Sequence, residues 1–399
     1  MLQNVLELSY KGGRLSCTYR LPGDVIKKRA GGLLQMKQKI AVIGAGPAGL
    51  AAALEGVRRG MEVTLLEKGE VGEFIRCAEG YIDPLRVLDL PEEGLRFKVE
   101  SICFRAGKEY ELDTRGMRLW ITDRRAWQRQ MAEELVRQGV DLREGWRITR
   151  SNYTSLRREY DWVIDGSGVP AVTSYVHGFH DFYLPHSLAA AQYIIKDDFS
   201  HLREGIKVGL SQEYRGYFWI FPQDDTTASV GIAYLSEDYG PRELNDIWAR
   251  LEQEIDGEGL SGGGILARSG GLCPAKMLPR LVWDNVILAG DAAGLASPLH
   301  GGGIDTAFLS GREAVAAIAR GRTENYRKRL WEILGPRFGL EDQLIRYWVS
   351  SGFHEVERLL AGVKSFCRGE GIGPLLPLSR DLLQKGYHFL RYWRKLGGS

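Results

Sequence analysis

The stretch from Lys39 to Glu67 constrains the fold more than any other part of this chain. Lys39-Ile40-Ala41-Val42-Ile43 is a short, β-branched apolar run ending at glycine, and it reads as a buried parallel strand. Gly44-Ala45-Gly46-Pro47-Ala48-Gly49 follows, opening an alanine-rich segment, 47–59, that reads as a helix. Glu62 to Glu67 reads as a second strand, which completes a βαβ unit. The three glycines have separate tasks. Gly44 allows the tight turn out of the strand, Gly46 lets backbone approach a pyrophosphate, and Gly49 lets the helix lie close to the strand. Pro47 and Ala48 begin the helix, whose free N–H groups and dipole favour an anion. Glu67, with Lys68 beside it, ends the second strand about 20 residues on, where a carboxylate can accept from ribose hydroxyls. The unit alone leaves FAD and NAD both open, whereas the acidic Glu67 argues against a 2′-phosphate and so against NADP.

A second glycine cluster favours flavin. Asn285-Val286-Ile287-Leu288-Ala289 reads as a buried strand running into Gly290-Asp291-Ala292-Ala293-Gly294. Then come Ser297-Pro298-Leu299-His300-Gly301-Gly302-Gly303-Ile304 and a helix to about Arg320. Asp291 can bind a ribityl hydroxyl of FAD. Gly301, Gly302 and Gly303 bring backbone N–H groups against a flat ligand. The helix that starts near Ile304 points its positive end at the same place, which favours negative charge on the flavin N1/C2 edge.

Composition excludes other classes. A formal net charge of +2 offers no argument for nucleic acid as a partner. The five cysteines, at 17, 77, 103, 273 and 367, contain no CxxC pair, so neither a zinc site nor a dithiol redox pair is expected, and no metal is. Their odd number and wide spacing suit a reducing compartment, and a cytoplasmic location is expected. No apolar run reaches the ~18 residues of a membrane span, and no signal peptide is visible.

Further motifs carry a resemblance. They are Arg76-Cys77-Ala78-Glu79-Gly80, Thr122-Asp123-Arg124, Tyr217-Phe218-Trp219-Ile220-Phe221-Pro222, and the GDAAG segment followed by P-x-x-GGGI. With the first glycine unit, they make the chain resemble the geranylgeranyl reductase family, FAD-dependent oxidoreductases related to p-hydroxybenzoate hydroxylase, from Ile40 to about Arg320. The resemblance implies that Arg124 contacts the cofactor, that Arg76, Cys77 and Ala78 lie beside it, and that Cys77 is near the isoalloxazine ring. It also implies that Tyr217, Trp219 and Pro222 wall a substrate cavity. The implied reaction is reduction of isolated C=C bonds in a polyprenyl chain, with flavin hydride to one carbon and a proton to the other. Cys77 and His300 are the candidate catalytic residues, and His300 could donate a proton near the flavin. The competing readings are a buried structural thiol for Cys77 and a neutral residue near a helix start for His300, which stands where the family often has Thr. A flavin monooxygenase or halogenase is the alternative activity, and a non-catalytic electron carrier is a third. Ile164 to Pro170 lacks the hydroxylase Gly-Ala-Asp-Gly pattern with its nearby arginine, and no Trp-x-Trp-x-Ile-Pro halogenase pattern occurs. No second GxGxxG is present, so NAD(P)H binding transiently or a ferredoxin-like protein would supply electrons.

The expected fold is α/β. A discontinuous Rossmann-like FAD-binding domain of the glutathione reductase type is expected over 38–80, 120–175 and 281–320. A β-rich substrate domain is expected over 81–119 and 176–280, and a helical C-terminal region over 321–399. Residues 1–37 form an N-terminal extension that reads as a hairpin, Val5 to Tyr19, before a basic stretch; Met36 as an alternative start is the other reading. The tail Tyr387-His388-Phe389-Leu390-Arg391-Tyr392-Trp393-Arg394-Lys395 suits either an amphipathic helix on the protein body or contact with an anionic membrane surface.

Overall fold

The computed structural model describes residues 6–11, 14–19, 37–88, 94–211, 213–235 and 244–367, by backbone alone in the first two stretches, at 235 and beyond 346. The chain divides into two units, Met1–Lys37 and Gln38–Ser399. In the first, Leu6–Lys11 pairs antiparallel with Arg14–Tyr19, from Leu6 opposite Tyr19 to Lys11 opposite Arg14, as the hairpin reading expects. Met36 and the tail from Tyr387 to Lys395 lie outside the described residues.

The second unit is built on three sheets. The first has six strands in the order Asp141–Arg143, Glu62–Leu66, Lys39–Ile43, Trp162–Asp165, Val286–Leu288 and Val282–Trp283. The first five are parallel, and the sixth is antiparallel to its neighbour. Successive strands step from Lys39–Ile43 to one side and then to the other. That topology opens a crevice at the carboxyl ends of the strands, the place where such sheets bind ligands. The runs are apolar throughout because helices cover the sheet: Ile40, Ala41, Val42, Val163, Ile164 and Ile287 are all without exposure. The helix Pro47–Arg58 lies on it so closely that a side chain at Gly56 would meet Ile40 and Val63. The helix Ile304–Ala319 crosses the first helix with Gly311 against the Ala48 carbonyl.

The second sheet has seven strands: Gly264–Pro274, Ser187–Lys196, Thr227–Leu235, Gly216–Pro222, Gly205–Ser211, Ser101–Ala106 and Lys108–Asp113. Only the pairing of Gly205–Ser211 with Ser101–Ala106 is parallel. One face is covered by the helix Ile247–Gly257, whose Ile247, Leu251 and Ile255 recur every four residues and meet Phe218, Ile220, Val230 and Ile232. The opposite face carries Leu188, Ala190, Tyr217, Trp219, Phe221, Ala233 and Cys273. The third sheet joins Gly80–Ile82, Leu119–Thr122 and Leu95–Lys98. Its strands pair across the domain boundaries expected at 80 and 120, so the chain passes between the two regions through one small sheet. The helix Tyr326–Cys367 closes the described chain. No helix among the described residues is long and apolar enough to cross a membrane.

Candidate functional site

The first glycine turn stands where its spacing requires. Gly44 has φ 91°, a left-handed conformation that favours glycine, and an added Cβ would lie 2.7 Å from the Gly166 carbonyl oxygen. A Cβ at Gly49 would lie 1.8 Å from the Gly44 oxygen, whereas at Gly46 it would meet nothing within 4 Å. The turn is therefore packed at its two ends and open in the middle, where the helix N-terminus points. Glu67 caps it from the neighbouring strand: its carboxylate accepts from Ala45 N–H at 2.7 Å and from Lys68 N–H at 2.9 Å. The Lys68 ammonium lies over the Phe74 ring at 5.0 Å, on the exposed rim.

The second cluster comes back onto this turn from more than 200 residues away. A Cβ at Gly290 would be 2.9 Å from the Ala48 methyl, and one at Gly303 would be 3.5 Å from Asp291 Oδ1. The start of the Ile304–Ala319 helix, Asp291 and the start of the Pro47–Arg58 helix thus border one space. Burial pushes the Asp291 carboxyl up to about 6, against the lowering influence of the Arg124 guanidinium nearby. Arg124 begins the helix Arg124–Arg137, which Asp123 caps by accepting from Ala126 N–H at 2.9 Å. Arg124 Nη2 donates to Gln128 at 2.8 Å, yet its buried Nε has no hydrogen-bond partner among the described residues. An unmatched guanidinium N–H, a carboxylate carried away from its ordinary range, and free backbone beside Gly46 are complementary to the phosphates and ribityl hydroxyls of FAD.

Arg76-Cys77-Ala78-Glu79-Gly80 forms the loop that joins this space to the large sheet. Arg76 is exposed, and Cys77 and Ala78 are half-buried. Glu79, a residue to which the sequence reading assigned no role, organises the loop. It is buried, has φ 66°, and accepts from Arg124 N–H at 2.9 Å and from Gln223 Nε2 at 2.9 Å. Its own N–H donates to Cys77 Sγ at 3.3 Å. A polar chain also holds the loop from the sheet: Trp219 Nε1 donates to Ser229, Ser229 to Gln192, and Gln192 to the Cys77 carbonyl at 3.1 Å. Gln192 stands alone in an apolar strand, and that isolated polar position was the signal available in the sequence.

Tyr217 and Trp219 point to the same side of their strand, into the apolar cluster with Leu188, Ala78 and Cys273. The Tyr217 hydroxyl donates to the His300 carbonyl at 2.7 Å, so this wall touches the glycine loop directly. Pro222 is a correction. Strand alternation turns it to the opposite face with Phe218 and Ile220, and Phe221 takes the position expected of it. Burial raises the Cys273 thiol to about 12, with Asp291 and Cys77 adding to the rise. His300 accepts at Nδ1 from Gly302 N–H at 3.1 Å. Nε2 lies 3.5 Å from the Arg337 guanidinium, and burial lowers the imidazole below its ordinary range. His300 thus braces the glycine loop, and Cys77 lies within electrostatic reach of Tyr217 and Cys273.

The comparisons agree with this geometry. Residues 39–149 match the FAD binding domain family. The chain is 28% identical over 316 residues to digeranylgeranylglycerophospholipid reductase 3 of Methanosphaera stadtmanae, covering 70% of this chain and 77% of that protein. Among solved structures, a geranylgeranyl bacteriochlorophyll reductase-like protein from Thermoplasma acidophilum superposes with a TM-score of 0.68 at 19% identity, covering 82% of this chain and 92% of that one. This chain is an FAD-dependent oxidoreductase similar to geranylgeranyl reductases. A flavin-dependent brominase shares the fold with a TM-score of 0.60 at 16% identity, over 89% of this chain and 99% of that one.

The reductase-like chain has one titration that its fold makes measurable. Because the Asp291 carboxyl is raised to about 6, the folded apoprotein holds a proton there that the unfolded chain has released by about pH 4. The sign follows: apoprotein stability falls as pH rises from about 4 to 6, by at most about 2 kcal/mol through this group. Thermal melts of the apoprotein at both ends of that range should show the loss, and Asp291→Asn should lack it. An equal pH slope in wild type and variant would assign the effect elsewhere.

Proposed function

We propose that this enzyme reduces isolated C=C bonds of a polyprenyl chain borne by a lipid. The observation that carries the reading is the continuous apolar wall of Leu188, Tyr217, Trp219 and Phe221, which meets the glycine loop at one end and the Cys77 loop at the other. Bound FAD in its reduced form supplies a hydride to one alkene carbon. The rest falls to the protein. Gly46, Arg124, Asp291 and the Gly301–Gly303 backbone hold the cofactor, the aromatic wall excludes water from an unactivated double bond, and Cys77 Sγ gives its proton to the other carbon. The thiolate left behind regains a proton from solvent. Electrons come from NAD(P)H bound transiently or from a ferredoxin-like protein, and the enzyme works in the cytoplasm or at the membrane surface, where the lipid substrate is.

The experiment is anaerobic. The bound flavin is reduced, and lipids with unsaturated polyprenyl chains are added. Flavin reoxidation coupled to a gain of two hydrogens in the lipid is expected. Reoxidation only on admitting oxygen, with an oxygen atom or a halogen entering a product, would replace the reductase reading with the monooxygenase or halogenase one.

A further inference from the structure

Behind the glycine loop lies a buried ionic network that the resemblance does not explain. The helix Tyr326–Cys367 is anchored at its start by the Tyr326 hydroxyl, which donates to the carbonyls of Leu288 and Ser310, and by Leu330, Leu334 and Phe338 in the main core. The same helix carries Arg337 and Glu341, four residues apart and only 5% and 6% exposed. Arg337 Nη1 donates to Asp305 at 2.5 Å and Nε to Glu341 at 2.7 Å. The second Glu341 oxygen accepts from Ser297 Oγ at 2.8 Å. Ser297 Oγ in turn accepts from the N–H groups of Leu299 and His300, at 3.2 and 3.3 Å, and Gly301 N–H donates to the Ser297 carbonyl at 2.9 Å. Glu341 thus reaches the segment 297–303 through Ser297, and Arg337 reaches Asp305 in the first turn of the Ile304–Ala319 helix.

Within this triad two carboxylates, Asp305 and Glu341, face one guanidinium, and Asp83, itself paired with Arg118, lies within electrostatic reach of Asp305. Asp305 and Glu341 lie by the N-terminus of the Ile304–Ala319 helix, where each offsets part of the positive end of the helix dipole, and Arg337 restores it. In a low-dielectric interior such a balance reaches neighbouring groups with little screening. We propose that Arg337 and Glu341 are positioning residues of opposite sign for the flavin. They fix the 297–303 loop and together set how strongly that helix end favours the electron-rich reduced cofactor over the oxidised one. This concerns FAD and does not depend on the substrate proposed above.

The test is the midpoint potential of the bound flavin, with FAD affinity measured in parallel. Arg337→Met leaves both carboxylates uncompensated, so binding of the reduced cofactor should weaken at least tenfold relative to the oxidised one, a fall in potential of about 30 mV. Glu341→Gln is nearly isosteric and removes one negative charge, so the potential should rise. Arg337→Lys should keep the potential near wild type while loosening the loop. The double variant Arg337→Met with Asp305→Asn should recover most of the fall. Shifts of the same sign in Arg337→Met and Glu341→Gln, or no shift in either while FAD stays bound, would overturn the proposal and leave the network a packing element. If Arg337→Met does not fold, the rise expected of Glu341→Gln decides, and its absence has the same force.

Discussion

Replacing Gly49 by alanine is expected to give a protein that is purified without FAD and is destabilised by more than about 4 kcal/mol, the far tail of point substitutions. The new methyl would lie 1.8 Å from the Gly44 carbonyl oxygen, a backbone atom that cannot move without displacing the strand that ends there. The helix Pro47–Arg58 would have to lift off the sheet, taking with it the N–H groups that face the phosphates. Gly46→Ala provides the contrast. Gly46 has φ −78°, which any residue adopts, and its added methyl meets no atom within 4 Å. Apoprotein stability should change by no more than about 1 kcal/mol. FAD affinity should nevertheless fall at least about tenfold, ~1.4 kcal/mol, because the methyl enters the space the pyrophosphate needs. Denaturant titration of the two apoproteins and flavin content after dialysis read both effects. Equal stability losses in the two variants would mean that the open middle of the turn is not the cofactor's place.

Cys77→Ala is expected to lower the single-turnover rate of lipid reduction by about 10²–10⁴-fold, the range of a positioned proton donor, with the flavin absorbance spectrum unchanged. The loop that carries Cys77 is held by Glu79 and Gln192 through backbone groups, so the sulfur can be removed without releasing the loop. Cys77→Ser should recover part of the rate, since a hydroxyl keeps a proton at the same place but yields it less readily. A rate unchanged by Cys77→Ala would return the residue to a structural role. The measurement is rapid mixing of the reduced enzyme with substrate under anaerobic conditions, so that cofactor reduction does not limit the rate.

Local physics made half of this molecule legible in advance. The strand–glycine–helix–strand run from Lys39 to Glu67 needs only neighbours in sequence to define it: β-branched apolar residues for a buried strand, glycine for a left-handed turn, proline and alanine for a helix start. The same holds for the Val286–Leu288 strand with its Gly-Asp turn, and for the hairpin near the N-terminus. Chemistry tied to these elements, namely FAD as the cofactor, was readable for the same reason. Alternation along Gly216–Pro222 was equally available in the sequence, and applied strictly it excludes Pro222 from the wall and admits Phe221.

What the chain alone did not reveal depends on which distant surfaces meet. Arg337 and Glu341 have the spacing of an ordinary exposed helical ion pair, like Asp342 and Arg346 one turn on, which are exposed. Only the packing of the Tyr326–Cys367 helix against the core hides the first pair behind the glycine loop and leaves the second in water. Gln192 and Glu79 likewise acquire their tasks from partners 115 and 45 residues away. The sequence by itself determined the sheet strands, the glycine turns and the cofactor, because each follows from backbone conformation and residue type within a few positions. The tertiary structure decided which polar groups are buried together, and so how the site is held and charged, because desolvation and pairing depend on contacts that no local pattern encodes.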